Sequence, residues 1–168
     1  MSRTDRPAAV LCWTVALCIA AGCGGGTIVV VNGDGRPCRQ GGVCVSTVAG
    51  SGEFGTADGP VVAAQFFMPH AVAVDEMSQL HVADFGADNQ TRLVAAGAVT
   101  TLADDPIDFP HPADVAIDPS GKRFVADTFG NRILELTSDG RTIVLAGTGQ
   151  AGDQDGEGAS ASFSLPSG

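Results

Sequence analysis

Residues 112–118 read PADVAID and residues 125–133 read VADTFGNRI, and these two stretches decide the fold. The same pattern occurs 43 positions earlier, as PHAVAVD from residue 69 and VAD from residue 82. A fixed offset between similar stretches is the sequence signature of a repeat architecture. The chain therefore contains at least two copies of one structural unit.

A longer pattern recurs at an offset of 97 residues. It runs from Ala-Gly-x-Gly through Asp-Gly to Phe-x-x-Pro, and it occupies residues 49–69 and 146–166 without a gap. We call these segments connector 1 and connector 2. Connector 1 leads into the first unit, and connector 2 follows the second.

Each unit holds four short β-prone runs separated by turn residues. In the second unit the predicted strands are residues 114–117, 123–126, 132–136 and 142–146. The predicted turns between them are Pro-Ser-Gly at 119–121, Phe-Gly-Asn at 129–131 and Ser-Asp-Gly at 138–140. Three tight turns joining four strands predict an antiparallel meander. The first strand reads Val-Ala-Ile, which predicts a strand buried on both faces.

These residues resemble the NHL repeat, which typically shows Pro-x-Gly-Ile-Ala-Val-Asp and then Val-Ala-Asp-Thr-x-x-Asn-Arg-Ile. The second unit matches closely, whereas the first has extra residues before Arg92 and Leu93. The resemblance covers residues 45–168. It implies an all-β fold, an incomplete β-propeller of NHL-type four-stranded antiparallel blades with about two blades present.

Residues 45–48 precede connector 1 as residues 142–145 precede connector 2. We therefore expect them to form the outer strand of a preceding blade whose other strands are absent. A propeller usually has four to eight blades, and residues 166–168 fall where a third would begin. We expect a truncated product or a sequence fragment, with open blade faces that favour self-association.

The N-terminal segment predicts export. Arg3 and Arg6 precede an uncharged apolar run at residues 8–21, the pattern of a secretory signal peptide, which we place at residues 1–22. As a helix, this run would span about 21 Å, which is short for a membrane crossing.

The end of that segment, IAAGC at residues 19–23, resembles the lipobox of bacterial lipoproteins. The resemblance implies cleavage before Cys23 and lipidation of Cys23, although the family prefers Leu, Val or Ile where Ala20 stands. Three glycines follow and predict a flexible tether. Residues 23–44 are thus a lipid-anchor tether with a Cys-bounded loop, and the expected location is the cell envelope, otherwise the secreted fraction.

Cys38 and Cys44 bound that loop, six positions apart. In an oxidising exported compartment, a disulfide between them is expected. Two free thiols, or two ligands of a metal site, are the alternatives, although no His or further Cys lies nearby.

The composition restricts the partners. The formal charge of −10 and the pI near 4.4 disfavour nucleic acid and anionic membranes. Contact with a membrane is therefore expected only through the lipid anchor. A hydrophobic content of 44% predicts a buried core.

Three histidines, His70, His81 and His111, are the first candidates for metal or acid–base chemistry. Amidating lyases of peptide hormones use an NHL-like propeller with a His-bound zinc, with ligands from several blades and a helping Tyr. This chain has no Tyr, and a zinc site needs three convergent ligands. We predict structural histidines, with no metal, no cofactor and no catalytic residue.

Acidic residues allow a calcium site or simple turns. The Asp58-Gly59 pair and residues 153–157 could offer oxygens to Ca²⁺, but their spacing does not match a twelve-residue calcium loop. Turns are favoured. Four aspartates recur at equal places in the two units, which predicts that they cap backbone N–H groups; they are Asp75, Asp84, Asp118 and Asp127.

Neither a Gly-x-Ser-x-Gly nucleophile motif nor a phosphate-binding glycine loop with its lysine occurs. The sequence thus predicts an exported propeller scaffold that binds a protein, peptide or glycan and has no catalytic activity. The alternative is a fragment of a metal-dependent propeller lyase or hydrolase. The first hypothesis has the loops of the propeller present the binding surface, and the second has a metal in its central channel.

Overall fold

A computed structural model describes residues 28–32, 44–86, 89–102 and 111–168. Over these residues the chain forms β-strands and one short 3₁₀ turn at Gly158–Ser160. The strands are β1 (Ile28–Asn32), β2 (Cys44–Ala49), β3 (Gly59–Pro60), β4 (Pro69–Val74), β5 (Leu80–Asp84), β6 (Gln90–Ala95), β7 (Ala98–Thr101), β8 (Pro112–Ile117), β9 (Arg123–Asp127), β10 (Arg132–Leu136) and β11 (Thr142–Ala146). The all-β prediction is confirmed.

Two antiparallel sheets contain nine of the eleven described strands. Sheet 1 has the strand order β3-β7-β6-β5-β4, and sheet 2 has the order β11-β10-β9-β8. In both, four consecutive strands form the predicted meander, and β3 of connector 1 adds a fifth strand to the outer edge of sheet 1. Neither sheet closes on itself over the described residues.

The two sheets repeat each other in register. Val72 pairs with Val82 in sheet 1, and Val115 pairs with Val125 in sheet 2, 43 positions later. The pairing register shifts after the proline that begins β4 in sheet 1 and after the proline that begins β8 in sheet 2. All four strands predicted for the second unit are present, the first two being one or two residues longer than expected.

Connector 1 and β2 cover one face of sheet 1. Val82, Val94 and Val99 point to this face and pack with Ala64 and Phe66 of the connector. Burying a valine or phenylalanine fully stabilises a fold by about 1.5–3 kcal/mol. This apolar contact fixes the connector against the sheet.

The opposite face of sheet 1 packs on sheet 2. Ala83 lies on this face, and four residues of sheet 2 pack with it, Val115, Val125, Leu134 and Leu136. Because alanine is small, the backbones of the two sheets can approach closely. Sheet 1 is therefore buried on both faces, and sheet 2 on one.

The prediction that β8 is buried on both faces is wrong for the described residues. Val115 is buried, but Ala116, which points the other way, is exposed. The outer face of sheet 2, the face that carries Ala116 and Ile143, has no described sheet packed on it. The side chains alternate as expected, and the covering layer decides their burial.

Strand β2 includes residues 45–48, as predicted, but it pairs with β1. Strand β1 was not predicted and lies inside the segment interpreted as a tether. A run of β-branched residues at 28–31 is the signal that could have identified it.

Several predictions concern residues outside the described ranges. These are the signal peptide at residues 1–22, Cys23 and Cys38, so neither the lipid anchor nor the disulfide partner of Cys44 is described. Among the described residues, no helix has the length and apolar character to span a membrane.

Candidate functional site

Four recurring aspartates hold the backbone at the strand ends. Asp84 closes β5, is buried, and accepts hydrogen bonds from the backbone N–H groups of Phe67 and Met68 at 2.9–3.1 Å. Its counterpart Asp127 accepts from the Gly130 N–H at 3.2 Å. The capping role predicted from recurrence is therefore confirmed at these two positions.

The other two recurring aspartates shape the turns at the opposite end. Asp75 accepts from the N–H groups of Met77 and Gln79, both at 2.9 Å. Asp118 does the same for Ser120 and Lys122. The hydrogen bonds to Asp118 lower its pKa, that from the Ser120 hydroxyl most. These carboxylates are engaged in turn formation, in agreement with the prediction.

Arg92 of β6 ties connector 1 to sheet 1. Its side chain is fully buried, and the guanidinium carbon lies 5.2 Å from the centroid of the Phe66 ring. The guanidinium donates to four acceptors, the carbonyls of Ala57 and Gln65 and the carboxylates of Asp58 and Asp84.

Burial and the arginine act in opposite directions on these carboxylates. Burial raises the pKa of Asp84, and the hydrogen bonds from the Phe67 and Met68 N–H groups together with the charge of Arg92 only partly offset this rise. Burial acts to raise the pKa of Asp58 too, but hydrogen bonds from the Thr101 N–H and from Arg92 bring it below the ordinary value. Asp58, a calcium candidate in the sequence, thus has a structural role.

Each of the three histidines makes contacts of its own. His70 Nδ1 lies 3.0 Å from the carbonyl of Ala113, which links β4 to β8. His81 is buried between the sheets, with Nε2 3.1 Å from the Asp75 carboxylate. Burial lowers the pKa of His81 against the effect of Asp75. Across the described ranges, no group of three His, Cys, Asp or Glu side chains could hold a metal ion.

His111 instead belongs to a row of aromatic rings. Its ring centroid lies 4.7 Å from that of Phe85 and 4.0 Å from that of Phe129, in an edge-on arrangement with Phe129. Phe85 follows β5 of sheet 1, and Phe129 lies in the β9–β10 turn of sheet 2. The rings therefore bridge the two sheets at one end.

A second pair of rings, in connector 1, adjoins this group at Gly86. The Phe54 and Phe67 rings lie 5.9 Å apart, and a Cβ added at Gly86 would lie 2.4 Å from the Phe67 ring. The glycine next to Phe85 thus lets Phe67 lie against the backbone. We call Phe54, Phe67, Phe85, His111 and Phe129 the aromatic row.

The row is open to solvent at both ends, because Phe54 is 60% exposed and Phe129 is 55% exposed. Aromatic faces contact apolar groups and attract cations, and the acidic protein adds a favourable field for cations. Sequence reasoning missed this site because its members lie in turns and follow no strand pattern. The signal was a Phe placed one or two residues after the Val-Ala-Asp of each unit.

Residues 153–157 of connector 2, the other calcium candidates, are exposed.

Neither a scan against protein-family models nor a search of the curated proteins finds a match to this chain.

Proposed function

We propose that this chain is part of an exported NHL-type β-propeller that binds a protein, peptide or glycan through its aromatic row and catalyses no reaction. In this proposal each four-stranded meander is one blade. The observation that carries the proposal is the row itself, on sheets that repeat each other in register. It joins a pair of rings in connector 1 to a group of three rings between the sheets, and the two groups adjoin at Gly86.

The chemistry of the row favours a ligand with flat apolar surfaces. Exposed rings such as Phe54 and Phe129 can stack on the C–H faces of sugars or on apolar and cationic peptide side chains. The buried aspartates below the row fix its backbone, so the rings need little ordering on binding. A rigid row on a repeated scaffold is suited to recognition.

A metal-dependent lyase or hydrolase needs three convergent ligands. His70 contacts a backbone carbonyl, His81 contacts Asp75, and the His111 ring packs against two phenylalanine rings. The geometry of these histidines therefore favours the scaffold over the enzyme.

The proposed location is the cell envelope, with a signal peptide at residues 1–22, a lipid on Cys23 and a Cys38–Cys44 disulfide. The observations that support it are the charged and apolar pattern of the leader and the Ala-Gly-Cys sequence. Self-association is proposed through the outer face of sheet 2, which exposes Ala116 and Ile143. Exposed apolar sheet faces favour such contacts.

The test compares two exposed residues at opposite ends of the sheets. The full chain is screened against soluble oligosaccharides and a random peptide library, and the best binder is titrated against Phe129→Ala and Met77→Ala. Met77 is 74% exposed in the turn at the opposite end and serves as the matched control. Loss of the Phe129 ring should weaken binding about tenfold, whereas Met77→Ala should not.

Binding that is equally strong in both variants and the parent would place the ligand elsewhere. A screen in which neither oligosaccharides nor peptides bind would remove the proposal altogether. The circular dichroism spectra of the variants confirm that both fold.

A further inference from the structure

The structure assigns connector 2 as a binding site for an arginine side chain carried by a neighbouring antiparallel β-hairpin. This inference is independent of the aromatic row. It comes from the two connectors, which have similar sequences and similar backbones but different surroundings.

Connector 1 shows how the site works when it is occupied. The guanidinium of Arg92 lies against the ring of Phe66 and donates to the carbonyls of Gln65 and Ala57, at 2.9 and 3.2 Å. Its shortest contact, at 2.7 Å, is to the Asp58 carboxylate. Asp58 also accepts from the N–H and hydroxyl of Thr101 on the neighbouring strand of the same hairpin.

Connector 2 repeats the backbone of that site 97 positions later. The Gln65 N–H donates to the Ala57 carbonyl at 2.9 Å, and the Ser162 N–H donates to the Gln154 carbonyl at 2.9 Å. A second hydrogen bond is common to both connectors. The Ser51 N–H donates to the Ala64 carbonyl at 2.8 Å, and the equivalent Thr148 N–H donates to the Ala161 carbonyl at 2.8 Å. The loop that presents the acceptors is therefore preformed.

The chemical groups are conserved between the connectors as well. Asp155 stands where Asp58 does, Phe163 stands where Phe66 does, and the carbonyls belong to Gln154 and Ser162. Asp155 is exposed, and no ion pair of the described chain includes it. Phe163 is partly exposed, whereas Phe66 is fully buried. Connector 2 thus offers a carboxylate, two carbonyls and a ring to a guanidinium.

The occupant is an arginine on a hairpin, for two reasons. A planar guanidinium can donate to several acceptors at once, which a lysine ammonium cannot do in the same geometry. In connector 1, Asp58 contacts both strands of the β6–β7 hairpin, Arg92 on one and Thr101 on the other. A second copy of the chain is a poor source of this arginine. Its Arg92 is already bound by its own Asp58. In sheet 2, Leu134 pairs with Val125 where Arg92 pairs with Val82 in sheet 1, so that sheet offers no arginine at this position.

The test uses the protein's own hairpin as the probe. A peptide of residues 90–102, closed by a D-Pro-Gly link so that the hairpin is preformed, is labelled and titrated with the full chain by fluorescence anisotropy. The variant Asp155→Asn removes the carboxylate of the site. Asp153→Asn removes the same charge from the same loop and is the matched control.

We expect Asp155→Asn to weaken binding about tenfold and Asp153→Asn to change it less than about twofold. Replacing Arg92 of the peptide by Lys or Gln should weaken binding as Asp155→Asn does. Phe129→Ala should leave it unchanged, so failure here is distinguishable from failure of the proposed ligand site. Equal effects of the two asparagine variants, equal binding of the lysine peptide, or no binding at about 1 mM peptide would each overturn the assignment.

Discussion

Replacement of Arg92 by leucine should destabilise the protein more than any exposed substitution. Leucine is the residue at the matching register position of sheet 2, where Leu134 faces Val125 as Arg92 faces Val82. The side chain therefore suits a β-strand at this position. The change removes a buried cation and leaves its acceptors behind.

The size of the destabilisation depends on which acceptors of Arg92 are left without their cation. The Asp84 side chain is only 1% exposed and would keep two backbone N–H partners but lose its cation. Removing one partner of a buried ion pair costs about 3–5 kcal/mol. Asp58 is 46% exposed, so solvent screens its pair with Arg92, and that pair adds less than about 1 kcal/mol. The expected loss is about 3–5 kcal/mol, or about 6–20 °C in Tm.

Thermal unfolding followed by far-UV circular dichroism measures this loss. Intrinsic fluorescence is not used, because the only Trp is Trp13 in the N-terminal segment and the chain has no Tyr. Arg141→Leu is the matched control, since Arg141 is 80% exposed and should tolerate the change. The pKa of Asp84 is already raised by burial and should rise further without Arg92. The loss should therefore shrink at low pH, where protonation removes the unpaired charge. Equal Tm values for the two leucine variants would refute the reasoning.

Two further outcomes are expected. Burial lowers the pKa of His81 below 6.5, so the unfolded chain binds the proton first and stability falls as the pH drops below 6.5. His81→Phe, which copies Phe124 of sheet 2, should reduce the fall in Tm between about pH 7.5 and about pH 5.5, and an unchanged fall would contradict this. Cys23→Ser should abolish incorporation of labelled palmitate in a bacterial host, whereas Cys38→Ser should not; label retained in the Cys23 variant would exclude lipidation there.

The strands and their register were accessible from the sequence because each unit alternates short β-prone runs with turn residues. The 43-residue offset aligned the inner strands correctly, so that Val72 and Val115 occupy the same place. The 97-residue offset likewise matched the hydrogen bonds of the two connectors. Local spacing determines these features, and spacing is visible in the sequence.

The position of Arg92 was not accessible in the same way. Similarity aligned Arg92-Leu93 with Arg132-Ile133, but the register places Arg92 opposite Val82 and Arg132 opposite Asp127. The β5–β6 turn is one residue longer than the β9–β10 turn, and Arg92 also lies two register positions further along its strand than Arg132, where it contacts connector 1. The aromatic row could not be predicted from the sequence for a related reason. Its rings lie close together only after connector 1 and the two sheets have packed.

Burial in this fold depends on the layer next to a residue more than on the residue's place in the repeat. Val82 and Val125 are equivalent and both fully buried, because each faces a covered side of its sheet. Phe124 takes the place of the buried His81 but lies on the outer face of sheet 2, where it is only partly buried. The polar His81 is thus buried between the two sheets, whereas the apolar Phe124 ring lies on the open face of sheet 2. Such a distribution is expected when each repeat completes its core only against the next layer.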